Sequence, residues 1–384
     1  MRTFIFSLVA LTAWSTPAAA KSWCASPLWV HEWGVNVFGS DGGAATALLL
    51  PPFFHRARSS TLATTPVRNL PGDTGERDLP VLHFYSQAGR EVPVGVEVGF
   101  SFGRASAWYP AVDSLQSPAE ARQRRAATHL AQKVLGPLGP DDVSGRELIW
   151  DRLELAAKPA HKPADTAMPW LQTARAFESA LWVNGASESE RFVFYEGETT
   201  ERVALALIRD PSFGPRRRAY RIANTGAQKV HDIIITHREG ETTFVVSIAA
   251  IGAGSSATFV LEDHRAKDVV AATRSRLRAS LVSPSQPPKV AESPDSPDSN
   301  CVMGRVPAQP FEDAASHYLY PHEADLIVSV WGPRFFDAEG TTIIYREDLA
   351  ALKTAMPLAI YTNMHNYVVL HRAGLALWQD VQLP

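Results

Sequence analysis

Apolar and polar positions alternate in short runs over most of the chain, and only a few stretches carry a helical period. Between Leu28 and Pro110 the runs Leu28 to Val30, Val35 to Phe38, Leu79 to Tyr85 and Val92 to Phe102 read as strands. Ser40 to Gly75, rich in Gly, Pro, Ser and Thr, predicts a long loop or several turns between the second and third of them. After Ser117-Pro118 the period changes, and Ala119, Arg122, Ala126, His129 and Val134 predict a helix over 118–135. Arg146 to Ala157 reads as strand or helix, and Trp170 to Trp182 predicts a helix. From Arg191 to Glu262 short apolar runs recur at intervals of roughly ten residues, with turn residues such as Asn224-Thr225-Gly226 and Glu239-Gly240 between them. That spacing predicts a β-sandwich.

Asp263 to Leu281 predicts a helix, and Pro284 to Ser299 is a Pro/Ser-rich linker. Pro321 to Trp331 predicts a helix with Pro in its first turn, Glu323 near its positive end, and Ala324, Ile327, Val328 and Trp331 on its buried face. Strands are expected at Thr341 to Tyr345, Leu358 to Thr362 and Tyr367 to His371. The fold class is therefore mainly β (α+β). A β-rich module with a helical insertion is expected at 21–185, a β-sandwich-like domain at 186–283, a Pro/Ser linker at 284–300, and at 301–384 an α+β segment able to complete the first module.

Composition adds compartment and exclusions. The 384 residues, 45% hydrophobic and 20% charged, are ordinary for a globular protein and enough to bury a core without disulfide or metal staples. With 37 Lys+Arg against 40 Asp+Glu there is no basic field, so no nucleic-acid partner is expected. Arg2, the apolar run Phe4 to Trp14, Pro17 and Ala18-Ala19-Ala20 form a cleavable secretory signal over 1–20. The run is too short to span a bilayer, and no later segment approaches the roughly 18 apolar residues a spanning helix needs. A secreted or periplasmic protein without a transmembrane segment is expected, starting at Lys21 and one unit more negative than the formal −3 of the whole chain. In an oxidising compartment Cys24 and Cys301, the two cysteines, most simply pair.

Several familiar signatures are missing. Gly39-Ser40-Asp41-Gly42-Gly43 lacks the spacing of a nucleophile elbow, and Gly252 to Ala257 runs into the strand-like Thr258 to Leu261, which makes it a hairpin turn and not a phosphate loop. Neither His-Glu-x-x-His nor Cys-x-x-Cys occurs. Three constellations remain. His31-Glu32-Trp33-Gly34, at the start of a strand, puts an imidazole and a carboxylate on opposite faces beside an aromatic ring. His317 to Glu323 places two imidazoles and a carboxylate around a helix start, where Glu323 also serves as a dipole partner. Trp108-Tyr109-Pro110, with Trp29, Trp33 and Tyr85, offers aromatic surface for a sugar or a peptide, or simply core. His365 and His371 share one strand face and would meet His31 if their strands were neighbours.

Val30 to Gly34, Leu79 to Tyr85, Trp108 to Pro110, Arg191 to Tyr195 and Tyr320 to Trp331 together resemble a group of exported bacterial proteins that begin with a His-Glu-Trp-Gly-Thr type motif. The resemblance touches most of the mature chain and implies export; it transfers no catalytic role. Val35 stands where Thr is usual in that group, and Ala107 where an acid precedes Trp-Tyr-Pro.

Two readings of function follow. In the first, a metal-assisted hydrolase, His31 with His317, His322 and His365 holds a divalent ion such as zinc, and Glu32 or Glu323 is the base for a bound water. In the second, a non-catalytic β-sandwich protein of the cell envelope uses Trp33, Trp108 and Tyr109 to hold a carbohydrate or another protein, the ligand being a small molecule, a glycan or a peptide. Export of the full chain should release a product beginning at Lys21, read by intact mass; a product that keeps the first twenty residues would refute the leader assignment.

Overall fold

The computed structural model describes residues 28–40, 50–56, 75–87, 91–116, 147–214, 216–261, 267–287, 309–311, 317–362 and 367–384. The chain passes through β1 (Leu28–Phe38), β2 (His55–Arg56), β3 (Gly75–Tyr85), β4 (Val92–Gly99), β5 (Gly103–Tyr109), β6 (Ser114–Gln116) and β7 (Glu147–Ala156) to α1 (Pro169–Arg175). Then β8 (Trp182–Asn184), β9 (Ser189–Glu190), β10 (Val193–Thr199), β11 (Leu205–Arg209), β12 (Ala219–Asn224), β13 (Val230–Glu239), β14 (Thr242–Ile251) and β15 (Ser256–Val260) lead to α2 (Lys267–Leu281). After β16 (Gln309–Phe311) come α3 (Pro321–Gly332), a π-helical turn at Pro333–Asp337, β17 (Gly340–Arg346), α4 (Leu349–Ala355), β18 (Leu358–Thr362) and β19 (Tyr367–Trp378).

The protein is mainly β, with three sheets among the described residues. The largest has ten strands in the order β14-β13-β17-β19-β1-β3-β10-β5-β2, with β16 also paired to β19. Six strands, β18-β4-β7-β8-β9 with β6 on β7, form a second sheet, and β11-β12-β15 a third. β1 is buried on both faces, which explains its almost continuous apolar sequence. Trp33, Val35 and Val37 face the helices, packing with Leu171 of α1, Leu277 of α2, and Ala324, Ile327 and Trp331 of α3. On the other face Leu28 and Val30 meet the second sheet through Val94, Val96, Trp150 and Leu358. Phe38, further along, joins the core beneath the third sheet with Tyr220, Ile222, Ile235 and Trp378. One strand thus contributes to all three cores.

Several elements differ from the sequence pattern. The two runs expected around the His-Glu-Trp-Gly motif are one strand, with the motif in its interior. The ambiguous stretch after Arg146 is β7, which pairs antiparallel with β4 and β8 inside the six-stranded sheet. The helix expected at Trp170 to Trp182 ends at Arg175, where the chain turns back so that the Leu181 amide donates to the Phe84 carbonyl (2.9 Å) and Trp182 opens β8. β19 continues past His371 to Trp378, paired in parallel with β1 along its whole length. In the expected sandwich region, β13 and β14 extend the ten-stranded sheet, while β11, β12 and β15 form the sheet facing it. The leader at 1–20, Cys24, the helix at 118–135, Cys301 and His365 lie outside the described residues, as do most of the 40–75 loop and of the 284–300 linker.

Gly197 marks a tight point in β10, where the register shifts against both β3 and β5. A Cβ there would lie 2.3 Å from two ring carbons of Phe100 and 3.0 Å from the Arg104 carbonyl oxygen. Gly197→Ala should destabilise the protein by about 1–3 kcal/mol, measured by urea unfolding; an unchanged midpoint would show that the Phe100 ring gives way freely.

Candidate functional site

The pleat of β1 sends His31 to the helical face and Glu32 to the opposite one. His31 is flanked in register by His371 on β19 and His83 on β3, so imidazoles on three neighbouring strands form a row. Its ring centroid lies 4.9 Å from that of His371 and 4.3 Å from that of Tyr320.

Glu323, fully buried in the first turn of α3, closes over this row. Its Oε2 accepts from the Tyr320 backbone N–H (2.8 Å), which caps the helix, and from His31 Nδ1 (2.6 Å). Its Oε1 accepts from the Tyr85 hydroxyl (2.8 Å), with His83 Nδ1 at 3.3 Å in an electrostatic contact not aligned as a hydrogen bond. Burial alone would raise the Glu323 carboxyl, but His31 and His83 outweigh it and hold it well below the usual carboxylate range. Glu323 is the anion of the cluster. Burial, reinforced by that anion, drives the Tyr85 hydroxyl well above its ordinary value, so Tyr85 remains a donor.

The direction of this bond fixes the next one. Because the Tyr85 proton points at Glu323, the Tyr85 oxygen accepts from His322 Nε2 at 3.0 Å, and His322 Nδ1 is left as the acceptor nitrogen. Burial, helped by His83 and His31, lowers His322 to about 4 against the opposing pull of Glu323 and Asp325, so the ring is neutral at neutral pH. His322 is half-buried, whereas His31, His83, Tyr85 and Glu323 are buried; the chain of hydrogen bonds runs from the interior toward the surface.

Across β1, Glu32 accepts from the Tyr195 hydroxyl and from Nε and Nη2 of Arg372, whose Nη2 also donates to the Met356 carbonyl (2.9 Å). Glu32 and Arg372 are buried together. Burial and the Glu32 charge raise Tyr195 well above its ordinary value.

The structure brings His31, His322 and Glu323 together and puts Glu32 in a separate network. His317, in the turn before α3, lies ring to ring with Tyr318 at 4.2 Å. Among the described residues no group of three or more His, Cys, Asp or Glu side chains is arranged to hold a metal ion. His31 Nδ1 and Glu323 Oε2 engage each other, so these atoms do not fit a divalent ion, and both carboxylates meet donors where a bound water would need a base. Trp33, Trp108 and Tyr109 are core residues: Trp33 stacks on His83, while Tyr109 stacks on Phe54 and His55. Sequence reasoning missed His83, Tyr195 and Arg372, and it read Tyr85 as aromatic surface where the structure uses its hydroxyl. The alternation Val81, His83, Tyr85 was the available signal for His83 and Tyr85; Arg372 meets Glu32 across 340 positions and carried none.

No protein-family model and no curated protein matches the chain. Among solved structures, the yeast delta-COP-I mu-homology domain complexed with a Dsl1 WxWxV peptide is similar at 10% identity over 92% of this chain and 95% of that one, with a TM-score of 0.27. The yeast delta-COP-I mu-homology domain in a second structure gives 9% identity, the same coverages and 0.26. The Danio rerio Fcho1 mu homology domain with bound Eps15 peptide gives 7% identity, 92% and 94% coverage, and 0.29. TM-scores this low carry no argument about this chain.

Glu323→Gln and Glu32→Gln should each lower stability at neutral pH by about 3–5 kcal/mol, since each leaves buried donors without their anion. The Glu323 contribution is present above its unfolded-state value of 4.5 and is lost as pH falls through its lower folded-state value. The gap between wild type and Glu323→Gln should therefore close on acidification. Urea midpoints that stay equally far apart at acid pH would refute the assignment.

Proposed function

We propose that the chain is an exported hydrolase that works by acid–base chemistry at the start of α3, with His322 as the general base. The observation that carries this reading is the directional chain His322–Tyr85–Glu323–His31. A neutral imidazole whose Nε2–H is fixed by a neighbour presents Nδ1 as a proton acceptor. Tyr85 and Glu323 are positioning residues. His31 balances the buried carboxylate and keeps it deprotonated, so the Tyr85 proton stays on the side away from His322. Glu32 takes no part in this arrangement; with Arg372 and Tyr195 it holds β1 against β10 and β19 from below.

The Nδ1 lone pair would take a proton from water as it attacks an acyl, phosphoryl or glycosyl centre, and return it to the leaving group. Protonation of His322 removes the base, so activity should stay level through the ordinary imidazole range and fall only as pH drops through about 4. The test is a screen of the mature chain with chromogenic esters, phosphoesters and glycosides, followed by His322→Gln. Loss of turnover by about 10²–10⁴-fold, with urea stability little changed, is expected. No turnover on any of the three classes, or turnover untouched in His322→Gln, would overturn the hydrolase reading.

A further inference from the structure

The three-stranded sheet buries Tyr220, Ile222 and Phe259 on one face and exposes Ile208, Arg221 and Thr258, register partners across β11, β12 and β15, on the other. Asp210, just after β11, folds the chain into a tight turn. Its Oδ1 accepts from the Ser212 N–H (3.0 Å) and the Ser212 hydroxyl (2.6 Å), and Pro211–Phe213 form one 3₁₀ turn closed by Gly214 at φ +80°. Phe213 stands exposed on that turn. Among the described residues the exposed large apolar side chains are Phe102, Ile208 and Phe213, and two of the three belong to this one hairpin. A single exposed apolar residue needs no explanation; a pair grouped beside charge of one sign does.

Charge of one sign is grouped in the same place. The chain as a whole has a formal charge of −3, yet residues 209–221 contain five arginines against one aspartate. Arg218 is engaged within the fold: its Nη1 donates to Glu239 Oε1 (2.6 Å), and its guanidinium lies 4.9 Å from the centre of the Phe244 ring. Asp210 is held by its own turn. Arg216 and Arg217 are exposed, and among the described residues no carboxylate pairs with either. The hairpin thus presents guanidinium groups and apolar side chains together, on a molecule whose remaining surface is acidic.

We propose that the β11–β12 hairpin docks on a bilayer surface of anionic phospholipids, with Phe213 and Ile208 reaching the boundary of headgroups and acyl chains and Arg216, Arg217 and Arg221 at the level of the phosphates. A ring on a protruding turn among guanidinium groups matches the layered polarity of such a surface. Attraction is confined to the hairpin, because the rest of the acidic chain is repelled, so the charge asymmetry also selects the orientation. The surface belongs to the three-stranded sheet, whereas His322 lies on α3 in the helical layer, and docking stands or falls independently of the hydrolase reading.

The test is cosedimentation of the mature chain with vesicles of phosphatidylcholine alone, or of phosphatidylcholine and phosphatidylglycerol in equal parts. Binding to the mixed vesicles that weakens with rising salt, and none to phosphatidylcholine alone, is expected. Arg217→Glu should weaken binding about tenfold or more. Arg276→Glu, the same charge change at an exposed arginine of α2, should leave it within about twofold. Phe213→Ser should weaken it about fivefold. All three positions are exposed, so urea midpoints should match wild type and the losses report docking alone. No binding to the mixed vesicles, equal losses in Arg217→Glu and Arg276→Glu, or binding untouched by Phe213→Ser would each overturn the proposal. Polyglutamate bound in solution as tightly as the mixed vesicles would also overturn it, in favour of an acidic protein partner.

Discussion

An ionised carboxylate inside a protein is tolerated only where donors surround it, and β1 is built between two such groups. Glu323 descends from α3 onto one face of the strand and is met by His31, Tyr85 and a backbone amide; Glu32 rises from the other face and is met by Tyr195 and Arg372. The partners come from β3, β10, β19 and α3, so the helical layer and the middle of the ten-stranded sheet are tied to one strand. A slip of one residue in the register of β1 would exchange the two faces, setting Glu32 against Glu323 and His31 against Arg372. Carboxylate would then meet carboxylate on one side, and on the other neither His31 nor Arg372 would reach an anion. The adjacent His-Glu pair thus specifies the register more sharply than the apolar residues around it, which are buried on either face.

The two networks differ in what they leave over. Around Glu32 a bidentate arginine and a tyrosine close the group from several sides, in the manner of a structural ion pair. Around Glu323 the donors include a tyrosine whose oxygen passes the hydrogen-bond direction on to a half-buried imidazole. Polarity is transmitted in one case and terminated in the other, and only the network around Glu323 ends on a half-buried imidazole.

Much of the architecture was legible because strand and helix periods are local. The mainly β class, the start of α3 at Pro321 and the six runs between Arg191 and Glu262 needed only neighbours in sequence. The opposite orientation of His31 and Glu32 followed from the pleat alone. What could not be read was which strands become neighbours. His83 looked like one polar position in an apolar strand, and Arg372 like an interruption, until β3 and β19 were placed on either side of β1. The aromatic residues misled for a related reason: Trp33, Trp108 and Tyr109 are as consistent with a ligand platform as with a core, and three cores in one molecule absorb them.

The parallel pairing of β1 with β19 has a kinetic consequence. The two strands at the heart of the large sheet come from stretches some 340 residues apart, and every other described strand lies between them in the chain. Closing so long a loop early is entropically unfavourable, and a chain that emerges from one end first offers β1 no parallel mate until the rest has followed. The central seam is therefore the last part to zip. A polypeptide arranged in this way holds its large sheet open along one seam until synthesis is nearly finished.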